Sequence, residues 1–122
     1  MSTIKSYTDL YQSKKLAKIL PLSTADMCYK CIGEDPYDVT LRPYSEWKEV
    51  YKGLLVDKEV DVIPCWSLTA LLSVLPNYQL QTQDDGIGVL CSCDGKFNIV
   101  TTDNPVDTCV AMIIKLHKLK ML

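Results

Sequence analysis

Four thiols are the side chains of this sequence whose type and spacing come nearest to a metal-binding or reactive set. Cys28 and Cys31 form a C-x-x-C pair, and Cys91 and Cys93 a C-x-C pair. Brought together, four thiolates could close a tetrahedral zinc site. Local geometry argues against it. Residues 27–32, Met-Cys-Tyr-Lys-Cys-Ile, are strand-like, and strand positions three apart point to opposite faces, so Cys28 and Cys31 diverge unless the backbone bends into a knuckle. No glycine follows at the position a knuckle uses, and the second pair has one intervening residue rather than two. The expected role is that of small buried hydrophobes, which suits Cys65, Cys91 and Cys109 among their apolar neighbours. A zinc-stabilised domain and redox work by Cys28 and Cys31 stay as alternatives.

Catalytic sets are not assembled elsewhere. His117 is the single histidine, and acid–base or nucleophilic catalysis needs a base within hydrogen-bond reach of its target. It falls in the last turns of a C-terminal helix, where a cation complements the helix dipole. Glu34, Asp35, Asp84, Asp85 and Asp94 occupy turn sequences, where Asp does ordinary turn chemistry. Gly86-Ile87-Gly88 is too short to cradle a phosphate, and the sequence contains no P-loop, G-x-S-x-G or H-E-x-x-H motif. The expectation is a protein that is not an enzyme and calls for no cofactor.

Two binding surfaces can be drawn. Lys14, Lys15 and Lys18 near the N-terminus, with Lys115, Lys118 and Lys120 near the C-terminus, would form a basic patch if their helices packed side by side. Nucleic acid is nevertheless disfavoured, because Arg42 is the only arginine and the formal net charge is −2, leaving neither bidentate guanidinium contacts nor an attractive overall field. Tyr44, Trp47 and Tyr51 lie in a polar, irregular stretch and are aromatic anchors of the kind enriched at protein interfaces. Trp66, among apolar neighbours, is expected in the core.

The elements that must position these residues follow from periodicity. Residues 8–20 fit a helix of about three turns that stops at Pro21. Residues 27–32 read as a strand closed by Gly33 and Glu34-Asp35-Pro36. Residues 37–63 are an irregular excursion, with Val60-Asp61-Val62 alternating like a strand. Leu68, Leu71, Leu72 and Leu75 line one face of a short helix between Pro64, which suits its start, and Pro76, which stops it. Strands at 78–83, 87–93 and 96–101 are separated by Asp84-Asp85-Gly86 and Asp94-Gly95, the latter a favoured two-residue hairpin turn. Alternation puts Ile87, Val89, Cys91 and Cys93 on one face of the second strand and Phe97, Ile99 and Thr101 on one face of the third, so one side can be buried and the other wetted. Asn104-Pro105-Val106-Asp107 starts a final helix whose stripe is Val106, Cys109, Val110, Ile113 and Leu116.

The expected fold is a single α+β domain over residues 1–122: an antiparallel three- to four-stranded meander sheet with N-terminal, central and C-terminal helices packed on it, residues 27–32 supplying the fourth strand. Length fits one core, since a domain of 122 residues buries roughly two-thirds of its unfolded surface. No apolar run approaches the ~18 residues of a membrane span, and the first residues lack the apolar run of a signal peptide. A cytoplasmic protein with thiols rather than disulfides is expected.

Pro64-Cys65-Trp66-Ser67-Leu68, Ala70-Leu71-Leu72, Asn104-Pro105-Val106-Asp107 and Cys109-Val110, with Ser23-Thr24-Ala25-Asp26-Met27 upstream, resemble segments of uncharacterised small proteins of phages and mobile elements from gut Bacteroidetes-type bacteria. The resemblance implies a bacterial or phage setting and carries over no site residues. The resulting expectation is a non-enzymatic protein-interaction module, a phage or mobile-element accessory factor with a protein partner, able to form a homodimer through an edge strand. Its alternatives are a nucleic-acid-associated regulatory module and the small zinc-stabilised domain.

Overall fold

The structure is a computed structural model that describes residues 5–32, 37–40, 60–83, 86–93 and 96–122. Among them are two three-stranded antiparallel sheets and three α-helices, an α+β fold. The described residues fall into two compact units, Asp9–Ser67 and residues 5–8 with Leu68–Leu122.

In the unit Asp9–Ser67, helix α1 spans Leu10–Leu16 and starts on a reciprocal capping box. The Gln12 backbone N–H donates to Asp9 Oδ1 at 2.7 Å, and the Asp9 N–H donates to Gln12 Oε1 at 3.1 Å, satisfying two donors that a helix start otherwise orphans. The helix is two turns rather than three. Past Leu16 the backbone bonds tighten to i→i−3, Lys18 to Lys15 and Ile19 to Leu16, which winds the chain down before Pro21. One turn of 3₁₀ helix, Leu22–Thr24, leads into β1, Met27–Ile32.

Strand β1 is flanked by β2, Asp38–Thr40, and β3, Val60–Cys65, in the order β2-β1-β3. Residues 27–32 therefore belong to a second sheet and do not add a fourth strand to the meander. Pro64, expected at a helix start, lies inside β3 opposite Cys28. Being at the sheet edge makes this tolerable, because an edge strand can spare the N–H that proline lacks. Helix α1 packs against β3. Trp66 is fully buried, as expected, with its indole N–H donating to Thr24 Oγ1 at 2.9 Å. Its polar atom is thus satisfied inside the core.

In the other unit, α2 spans Leu68–Val74, and its first N–H donates to the Ser6 carbonyl at 3.1 Å. Strands β4 (Tyr78–Gln83), β5 (Gly86–Cys93) and β6 (Lys96–Thr102) form the expected meander in the order β4-β5-β6. Helix α3, Pro105–Lys118, has Asn104 as N-cap, its Oδ1 accepting from the Asp107 N–H at 2.8 Å, and Pro105 in the first turn. It packs on β5 and β6 and against α2. Val106, Cys109, Met112, Ile113 and Leu116 of α3 and Val89 and Cys91 of β5 are completely buried, the burial that holds most of a helix's stability.

Two polar devices fix this unit. The Thr108 hydroxyl lies 2.8 Å from the Ile87 carbonyl and 2.6 Å from Thr102 Oγ1, tying α3 to the first residues of β5 and the last of β6. Lys5 Nζ meets Asp107 Oδ1 at 2.7 Å, while Asn104 Nδ2 donates to Asp107 Oδ2 at 2.7 Å.

Candidate functional site

The residues singled out in the sequence do not assemble into one described site. Tyr44, Trp47 and Tyr51 lie outside the described residues, as does Arg42. The lysines divide between the units. Lys14 and Lys15 are exposed on α1, with Lys14 Nζ 5.8 Å from the centre of the Tyr37 ring and Lys15 Nζ 6.0 Å from that of Tyr11. Lys18 follows in the turn, and Lys115 and Lys118 are exposed at the far end of α3. His117 is exposed on the last turn of the same helix.

The four thiols divide likewise, Cys28 and Cys31 on β1 and Cys91 and Cys93 on β5. Cys28 is buried and Cys31 half-buried, as alternation on a strand requires. Among the described residues, no group of three or more His, Cys, Asp or Glu could hold a metal ion. Burial pushes the Cys28 thiol up to about 11, with Cys65 adding to the shift and Lys30 opposing it. Burial pushes Cys109 up to about 12, with Cys91 adding. Thiols so desolvated are protonated at neutral pH and are poor nucleophiles and poor metal ligands.

A surface the sequence did not single out emerges from strand register. In β5 and β6, Cys93 opposes Lys96, Ser92 opposes Phe97, Leu90 opposes Ile99 and Gly88 opposes Thr101. Directly opposed residues share a face, so Phe97, Ile99 and Thr101 stand with Ser92, Leu90 and Gly88, on the side away from Val89, Cys91 and α3. Gln79 and Gln81 of β4 oppose Leu90 and Gly88 and complete this outer face. The face read as coherent in β6 is therefore the uncovered one. Phe97 is 71% exposed and Ile99 48%. Every residue that the register places on the face from Gln79 to Thr101 is uncharged.

Gly86 accommodates that register at the far end of the β5–β6 ladder. It adopts φ +155°, and a Cβ there would overlap the Thr102 carbonyl oxygen and stand 2.9 Å from its carbon. The missing side chain lets the start of β5 close onto the end of β6, which only glycine permits in this backbone region. Exposing Phe97 and Ile99 forgoes about 1.5–3 kcal/mol for each side chain relative to full burial. An uncharged sheet face with an aromatic and a branched aliphatic side chain suits contact with another apolar surface.

The class defined is an α+β protein with an uncovered, uncharged meander sheet face. No family model matches the chain, and comparison with curated proteins and with solved structures finds no match.

Proposed function

We propose that this chain is a non-enzymatic protein-interaction module whose described contact surface is the outer face of the β4-β5-β6 sheet. The exposure of Phe97 at 71% beside half-exposed Ile99 on an uncharged face carries the reading, since large aromatic and aliphatic groups at the centre of a contact supply most of its energy. A phage or mobile-element accessory role in a bacterial cytoplasm completes the proposal. The phage or mobile-element part rests on the sequence resemblance alone, while the thiols of Cys28, Cys31, Cys65, Cys91 and Cys109 suit the reducing compartment that a cytoplasm is.

The test is a photo-crosslinking amino acid introduced at position 97, irradiated in the native cells, with position 11 as the control because Tyr11 is equally exposed at 73%. The expected result is a discrete covalent protein adduct from position 97, lost when Ile99→Lys is added. Adducts no stronger than those from position 11 would sink the proposal.

A further inference from the structure

We infer that two copies of this chain pair through strand β4, which lies antiparallel to the β4 of the second copy about a two-fold axis at Leu80, so that the two meander sheets run on as one. The inference goes beyond the reading above and leaves the Phe97 face of both copies open to its own partner. The Ser92 N–H donates to the Asn77 carbonyl at 3.3 Å, and bonded pairs alternate with non-bonded ones along an antiparallel ladder. Gln79–Leu90 and Gln81–Gly88 are therefore bonded pairs, whereas Tyr78–Cys91, Leu80–Val89 and Thr82–Ile87 are not. The N–H and C=O groups of Tyr78, Leu80 and Thr82 thus point away from β5. Strand β4 ends the order β4-β5-β6, and among the described residues nothing pairs with these outward groups. Sheet edges are commonly guarded by proline, bulges or charges. The sequence of β4, Tyr-Gln-Leu-Gln-Thr-Gln, has no charge and no proline, and its register to β5 runs unbroken from Tyr78 to Gln83. An uncharged, proline-free run of about six such residues is the pattern that stacks without limit when its edge stays open. A two-fold pairing uses up the edge and closes at two copies.

Side chains at this edge point the same way. Tyr78, Leu80 and Thr82 oppose Cys91, Val89 and Ile87 and so stand on the helix side of the sheet. Helix α3 packs over β5 and β6, and Tyr78 stays 44% and Leu80 40% exposed. An axis at Leu80, normal to the sheet, sets Leu80 against its own copy, Tyr78 against Thr82 and Gln79 against Gln81. The outward N–H and C=O groups of Tyr78, Leu80 and Thr82 then meet those of Thr82, Leu80 and Tyr78 of the second copy. Each side-chain pair matches in kind: aromatic on β-branched, aliphatic on aliphatic, amide on amide. No like charges meet along this ladder. A strand of another protein could take the same backbone groups; the match of β4 to itself, position by position about Leu80, selects the second copy.

Sedimentation from micromolar to high micromolar concentration tests this. Expected is a wild-type species of twice the 13.8 kDa chain mass. Leu80→Lys and Leu80→Glu should each be monomeric with unchanged far-UV circular dichroism, because like charges then meet on the axis. Mixed in equal amounts, the two variants should associate again, since the axis joins opposite charges. Gln79→Lys with Gln81→Lys sets like charges opposite each other and should weaken association about tenfold, whereas Gln79→Lys with Gln81→Glu should not. This second pair tests the register even if the Leu80 variants fail to fold. Ile99→Lys, on the outer face, should leave the dimer intact. A wild type that stays monomeric throughout overturns the inference, as does a dimer that survives Leu80→Lys or that Ile99→Lys dissociates. Folded Leu80 variants that do not associate on mixing, or a dimer indifferent to the charges at positions 79 and 81, overturn it equally.

Discussion

Replacing Gly86 by alanine attacks the closest backbone approach described between the start of β5 and the end of β6. The new methyl group would overlap the Thr102 carbonyl oxygen and lie 2.9 Å from its carbon and 3.4 Å from Asp103 Cα. These are backbone atoms and cannot swing aside as a side chain could. Holding alanine at φ +155° costs about 1–3 kcal/mol on its own. Relieving the overlap means pulling Thr102 away from Ile87, its partner in the ladder, and disturbing the Thr102 hydroxyl contacts to the Asn104 carbonyl at 2.7 Å and to Thr108. One or two lost hydrogen bonds add about 1–2 kcal/mol. The expected destabilisation is about 2–5 kcal/mol, a large share of the roughly 5–15 kcal/mol that holds a domain together. In urea unfolding followed by far-UV circular dichroism, with a slope of about 2 kcal/mol per molar, the midpoint should fall by about 1–2.5 M. Gln79→Ala, at an exposed position on β4, serves as the control and should stay within about 0.5 kcal/mol. A Gly86→Ala midpoint within about 0.5 M of wild type would show that stability does not depend on this close approach.

Three other perturbations have defined outcomes. Trp66→Phe removes the indole N–H that reaches Thr24 Oγ1 at 2.9 Å and leaves a gap, so it should cost about 1–3 kcal/mol in denaturant unfolding. Asn104→Ala deletes the cap of α3 and the Asn104–Asp107 bond, and a loss of about 1–2 kcal/mol by thermal melting is expected, with no loss at all contradicting the cap. Cys28 and Cys109, pushed to about 11 and about 12 by burial, should resist a disulfide-exchange reagent at pH 8 until urea is added. Because both are protonated in the fold and ionise near ~9 once unfolded, their contribution to stability is complete below pH 9. It should fall as pH rises towards 11 and 12, by about 1 kcal/mol per unit for each thiol, and a flat stability profile across that range would contradict their burial.

The elements most legible in the sequence are those with paired local signals. Asn104, Pro105 and Asp107 cap, start and charge the same helix end, and the sequences Asp84-Asp85-Gly86 and Asp94-Gly95 punctuate a stretch whose strand alternation is clear. Pro64 misled because proline fits the first turn of a helix and a sheet edge equally well, and only the pairing with β1 decides between them. In the excursion at 37–63, β2 leaves no signal, since three residues of strand make no visible period, whereas the alternation of Val60-Asp61-Val62 announces the start of β3. The fourth strand was real but paired elsewhere, because a strand's own pattern does not name its neighbour. The candidate face was legible in principle. Two residues between β5 and β6 force Cys93 opposite Lys96, and counting outward from that turn places Phe97 with Ser92 rather than with Cys91. Hydrophobicity alone suggested the reverse, because Phe97 and Ile99 look like core residues.

The hydrogen bond from the Leu68 N–H to the Ser6 carbonyl and the ion pair of Lys5 with Asp107 bear on the order in which the chain can fold during synthesis. They assign residues 5–8 to the unit completed by Leu68–Leu122, with Asp9–Ser67 inserted between. On the ribosome, the inserted unit has all its own strands available as soon as Ser67 has emerged. Residues 5–8, made earlier, must wait for α3, whose Asp107 is translated 102 positions after Lys5. Domain-wise folding during translation therefore runs here from the inside of the sequence outward, and a stalled nascent chain ending near residue 100, with Ser67 clear of the exit tunnel and α3 not yet made, should show a protected β1–β3 sheet with residues 5–8 still cleavable by protease.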